Sequence, residues 1–158
     1  MTRRALARFA VAAVMWIGCD EAEPVETPAP DYDAFVRDAY PVLLRDCGML
    51  TCHGVPERPF RVYGPGRLRA PMQGDPQTER FDPVTDDELW FSYQRTRSML
   101  TTSGDVRNSL LLTKPLPGAG HQGLDAYGGA IYQTRDDPSY RVLLDWANGD
   151  LCYGPDDC

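Results

Sequence analysis

Apolar residues recur at helical spacing in three stretches of the chain. Phe35, Val36, Tyr40, Leu43 and Leu44 form the first, with Asp31 or Asp33 placed to cap it. Pro41 falls inside this stretch and lacks the N–H of an unbroken helix, so the pattern predicts a kink or two short helices. Thr85-Asp86-Asp87-Glu88 matches a capping box and predicts a helix through about Ser98 that buries Leu89, Trp90 and Tyr93. Asp137, followed by Pro138, opens the third helix, which stops at Gly149. It buries Tyr140, Leu143 and Leu144, with Trp146 a further candidate for the same face. The intervals are less regular. Residues 58–66 read as a short extended piece ending in a turn, and 71–84 as a loop. Ser109-Leu110-Leu111-Leu112 is a short apolar piece ahead of Lys114-Pro115, and 117–130 form a Gly-rich loop containing His121. No internal repeat is visible. The pattern therefore predicts a mainly α, single small domain over 32–158, with long irregular loops.

Composition narrows the function classes. An apolar content of 42 % in 158 residues supports one core and excludes wholesale disorder. The net charge of −7 excludes nucleic acid as a partner, because phosphate neutralisation needs a basic surface. All the cationic side chains are Arg except Lys114, and no Arg cluster stands out.

The N-terminus reads as an address. Arg3, Arg4 and Arg8 precede the apolar run Phe9 to Gly18, too short to span a bilayer and patterned like a secretory signal peptide, 1–18. The run ends in Trp16-Ile17-Gly18-Cys19, which resembles the lipobox of bacterial lipoproteins. That resemblance implies cleavage before Cys19, lipidation of its thiol and a membrane partner reached through the lipid anchor. Cleavage removes three Arg and no acid, making the body more acidic, so membrane residence would depend on the acyl chains. Residues 19–31 pair the lipidated Cys with an acidic, Pro-rich tether that holds the domain off the bilayer. The expected location is the bacterial cell envelope, facing the periplasm or the outer surface. Asp20 resembles an inner-membrane retention signal.

Four cysteines remain, and four allow three disulfide connectivities. Cys152 and Cys158 flank Gly-Pro-Asp-Asp, and a bond between them would tie down the C-terminus, worth about 2 kcal/mol for so short a loop. Cys47 and Cys52 differ, because His53 follows directly. A Cys pair ending in Cys-His is what covalent haem attachment needs: two thiols add to the vinyl groups, and the adjacent imidazole sits beneath the iron. Two residues usually separate the cysteines; here there are four.

The surrounding sequence resembles the cytochrome c-like domains of large exported bacterial proteins. Those domains carry a helix entering Cys…Cys-His-Gly, then Ser-x-Leu-Leu…Lys-Pro-Leu, His-x-Gly and Asp-x-x-Tyr-x-x-Leu-x-x-Trp. The matching segments are Cys47 to Gly54, Ser109 to Leu116, His121-Gln122-Gly123 and Asp137 to Trp146. The likeness spans about 33–54 and 109–147, and 55–108 match nothing. It implies a cytochrome c-like fold with helix 33–46 packed against 137–148. It also implies haem c on Cys47 and Cys52, His53 as proximal ligand, and one-electron transfer to a redox protein partner or haem-based sensing. In such folds the distal ligand comes from the loop before the last helix, so His121 is the candidate. Met99 stands behind it, Met72 is less well placed, and Met49, between the cysteines, is poorly placed to reach the opposite face. On this expectation, replacing Met99 leaves the spectrum unchanged.

Two other readings stay open. The wide Cys spacing also suits a haem-free envelope lipoprotein stapled by a Cys47–Cys52 disulfide, with a structural or interaction role. Cys47, Cys52, His53 and His121 also supply the ligand types of a copper or zinc site, although adjacent Cys52 and His53 make tetrahedral closure awkward. Gly118, Gly120, Gly128 and Gly129 read as turn glycines, and Asp86, Asp87, Glu88, Asp136 and Asp137 as helix-start acids that favour the dipole. No catalytic constellation is present, and an enzyme is not the favoured reading.

Overall fold

The first helix runs through Pro41 instead of breaking at it. In the computed structural model, which describes residues 28–70, 80–102, 104–119 and 128–151, Tyr32–Ala34 is α-helical and Phe35–Ala39 is a π turn. Tyr40–Asp46 is α-helical again. Pro41 cannot donate, and its ring crowds the carbonyl four residues back. The turn ahead of it widens by one residue, with the Tyr40 N–H reaching back to the Phe35 carbonyl. Pro41 thereby lands in the first turn of a fresh α segment, where no N–H is required. Of the two cap candidates, Asp31 is used: its side chain accepts from the Ala34 N–H at 2.6 Å.

The C-terminal helix, Pro138–Asn148, forms on its local signals. The Asp137 carboxylate accepts from the Ser139 N–H at 2.9 Å, and Gly149, at φ +78°, ends the helix in the left-handed conformation. Tyr140, Leu143 and Leu144 are buried as the pattern predicts. Trp146, the further candidate, is fully buried as well: its ring lies 5.3 Å from that of Phe35, and its Nε1 donates to the Asp31 carbonyl at 3.0 Å. The first and last helices therefore pack against each other. Tyr93 from the central helix completes this aromatic cluster, 5.4 Å from Phe35 and 5.2 Å from Tyr32.

The central helix, Asp86–Arg97, departs from expectation in the face it buries. The capping box is present, with Glu88 N–H on Thr85 Oγ1 and Thr85 N–H on Glu88 Oε2. Tyr93 is buried as expected and Leu89 only partly, but Trp90 is 46 % exposed, against the sequence reading. The inward stripe is instead Glu88, Ser92 and Thr96, four residues apart. Glu88 is fully buried because Arg69 comes to it: Nε donates to Oε1 at 2.8 Å and Nη2 to Oε2 at 2.9 Å. The Ala70 N–H adds a third donor at 3.0 Å. Burial alone would push the Glu88 carboxyl up, but Arg69 and the Ala70 and Thr85 N–H groups outweigh it and hold the carboxyl below its usual value.

Residues 58–66 form no strand. Among the described residues the only β pairing is an isolated bridge between Tyr63 and Leu68. The donors of this segment are spent elsewhere, Val62 N–H on the His53 carbonyl at 3.0 Å and Tyr63 N–H on Ser92 Oγ at 3.1 Å. The segment therefore ties the Cys-His loop to the central helix. A 3-10 turn at Val106–Asn108 leads into a one-turn helix, Leu110–Thr113, that buries Leu111 and Leu112. The molecule is mainly helical, and no helix among the described residues is long and apolar enough to cross a membrane.

Candidate cofactor site around Cys47, Cys52 and His53

The end of the first helix builds the loop that carries all three residues. The Leu43 carbonyl accepts from both the Cys47 and Gly48 N–H groups, each at 2.9 Å, which closes the helix. The Cys47 carbonyl then accepts from the His53 N–H at 3.0 Å, and the Met49 carbonyl takes the Cys52 and Gly54 N–H groups at 2.8 and 3.0 Å. Four residues between the cysteines thus fold into a turn closed by its own backbone. Gly54 is required here by space: a Cβ would collide with the Gly48 carbonyl oxygen and reach the Met49 backbone at 3.0 Å.

His53 is held at both ends. Its ring Nδ1 lies 3.1 Å from the Phe60 carbonyl oxygen, and its ring meets that of Phe60 edge-on at 4.7 Å. A carbonyl only accepts, so Nδ1 carries the proton, and in the neutral ring Nε2 carries the lone pair. A hydrogen bond of this kind orients a ligating imidazole and raises its basicity.

Cys47, Cys52 and His53 line a single cavity of about 200 Å³. Pro59 and Phe60 continue its wall, and Met99, Leu110, Leu111, Pro115 and Ile131 complete the apolar lining. Leu110 is 53 % exposed, so the cavity is open at that side. Two charged residues also reach it, Asp46 and Lys114. Asp46 accepts from Arg45 Nε at 2.6 Å and Nη2 at 2.8 Å, and from the Tyr132 hydroxyl at 3.1 Å. Lys114 Nζ donates to the Ala119 carbonyl at 3.4 Å. Burial pushes the Cys47 thiol up to about 12, with neighbouring Asp46 and Cys52 adding to it. Burial, Cys47 and Asp46 together raise the Tyr132 phenol as well. Cys47 is therefore a neutral thiol at physiological pH, a poor thiolate ligand and a poor nucleophile. The thiols of Cys47 and Cys52 are not joined to each other.

Protein-family models, curated proteins and solved structures yield no match to this chain. Its site rests on geometry alone.

The geometry brings together the three residues expected at a haem attachment point. It adds Met99, the second-choice distal candidate, to the same lining, whereas Met49 is 45 % exposed and takes no part in it. His121, Met72, Cys19, Cys152 and Cys158 lie outside the described residues, as do the signal segment and nearly all of the tether. Among the described residues, no three His, Cys, Asp or Glu side chains are grouped to hold a metal ion. The donor set fits haem better than a bare ion: two cysteines and an oriented imidazole line one largely apolar cavity. Sequence reasoning missed Asp46 and Lys114. The available signal was that Lys114 is the chain's one lysine.

Proposed function

We propose that this domain holds haem c through Cys47 and Cys52, with His53 as proximal ligand, and passes single electrons in the bacterial cell envelope as a lipid-anchored cytochrome c-like protein. The observation that carries the reading is that Cys47, Cys52 and His53, its imidazole oriented by Phe60, line one largely apolar cavity. When bound there, haem supplies a one-electron iron couple. The chain's part is to fix the imidazole through the Phe60 carbonyl, to exclude water with Leu111, Ile131 and Met99, and to present the sulfurs. The cavity opens beside the exposed Leu110, and such an opening would suit exchange of electrons with a second protein. Met99 is the distal candidate that shares the cavity with His53. Thioether–imidazole ligation would give a higher potential than the two imidazoles of a His53–His121 pair.

The test is an absorption spectrum of the exported protein from cells carrying c-type haem maturation machinery, followed by denaturation and acid extraction. Haem colour is expected to stay with the polypeptide and to lose its covalent attachment in Cys52→Ala. Met99→Ala and His121→Ala, compared in the same cells, assign the sixth ligand by which one changes the spectrum. A colourless wild type, or an unaltered c-type spectrum from Cys52→Ala, overturns the reading.

A further inference from the structure

Of the polar groups reaching the cavity, two are already engaged by the protein. Asp46 is neutralised by Arg45 and bonded by Tyr132, and His53 is tied to the Phe60 carbonyl. Lys114 differs. It is half-buried, and among the described residues no carboxylate lies within ion-pair distance of its ammonium. Its contact with the Ala119 carbonyl, at 3.4 Å, is at the long end of a hydrogen bond. A charge beside an apolar wall is costly until an anion meets it. The chain's use of cations sharpens the point: every other basic side chain is Arg, and the single Lys stands at this cavity. A lysine offers a compact charge on a flexible stem, suited to following one oxygen of a carboxylate.

We infer that Lys114 is the anion-pairing end of this cavity and takes a carboxylate of an otherwise apolar ligand; resting on the haem reading above, that carboxylate is a haem propionate. Pairing also offsets negative charge near the iron, so Lys114 holds the potential up. Lys114 is a positioning and tuning residue here and forms no bond to the metal.

The inference is tested on the full exported protein in two forms. In the haem-loaded form, the midpoint potential is measured for wild type, Lys114→Gln and Lys114→Arg. The Gln variant is expected to fall below wild type, and the Arg variant to stay near it. In protein made without maturation machinery, ferric protoporphyrin and its dimethyl ester are titrated in parallel. Wild type should prefer the free acid by about ten- to a hundredfold, the worth of one charge-assisted hydrogen bond, and Lys114→Gln should lose that preference. If the Gln variant does not fold, the acid-against-ester comparison on wild type decides alone. A wild type that stays colourless in maturation-competent cells refutes the haem reading itself. A coloured wild type with an unchanged potential in Lys114→Gln, or with no discrimination between acid and ester, overturns the role of Lys114 only.

Discussion

Removing the Glu88 carboxylate should be among the most damaging single changes away from the candidate site. Glu88 is fully buried and meets four donors: Arg69 Nε and Nη2, the Ala70 N–H and the Thr85 N–H. Glu88→Ala would take the carboxylate from the Arg69 guanidinium, whose side chain is only 11 % exposed and keeps its bonds to the Asp82 and Pro83 carbonyls, and leave both N–H groups without their acceptor. Breaking a buried pair from one side costs about 3–5 kcal/mol, a large part of the roughly 5–15 kcal/mol that holds a typical domain together. Urea unfolding followed by fluorescence of the buried Trp146 measures the loss. Arg69→Met should also destabilise, and the double variant should lose less than the sum of the singles, because no buried charge is then left alone. The pH dependence has a definite sign. The folded carboxyl lies below its ordinary 4.5, so its stabilisation is complete above that value and disappears as pH falls through the lowered folded value. The gap between wild type and Glu88→Gln should therefore close in acid. A Glu88→Ala loss under about 1 kcal/mol, the figure for a surface pair, or additive single and double losses, would refute the reasoning.

Three more expectations concern the loop and the core. Gly54→Ala forces a Cβ into the Gly48 carbonyl and should cost about 1–3 kcal/mol, with covalent haem yield falling in parallel; an unchanged urea midpoint would contradict the steric account. Cys47, in protein made without haem, should resist alkylation at pH 8 when native and react once unfolded, as mass spectrometry of the peptides would read. Its thiol lies near 12 when folded against an ordinary 9.0, so the stability it supplies is complete below pH 9 and drains away as pH rises towards 12, a decline that Cys47→Ala should flatten. Tyr140 buries a hydroxyl that has no hydrogen-bond partner among the described residues, so Tyr140→Phe should be neutral or stabilise by about 1 kcal/mol in the same unfolding assay; a loss of that size would show that the hydroxyl has a partner.

The features legible in the sequence are those whose causes lie within a few residues. Asp137, Pro138 and Gly149 bound the last helix by local chemistry, and Thr85 with Glu88 does the same for the central one. The buried face of the central helix was not legible, because the group that draws Glu88 inward is Arg69, nineteen residues upstream. Trp90 consequently stays outside, against the ring of Tyr32 at 5.5 Å. Pro41 announced an interruption, but a widened turn and a broken helix look alike in the sequence. The candidate site divides the same way. Cys47, Cys52 and His53 are near neighbours in the chain, whereas Met99, Leu110 and Lys114 reach the cavity only through folding.

The π turn makes the first helix a counted length. Phe35, at one end, must meet Trp146, while Cys47, just beyond the other, must face the cavity. Each residue of an α-helix advances the facing direction by about 100°, so the widened turn sets the phase between these two points. A loop of the same span would absorb one residue more or less with little consequence. Within 35–46 a single insertion or deletion turns the cysteine away from its wall while leaving the aromatic cluster in place. The chain therefore tolerates a change of length poorly within 35–46.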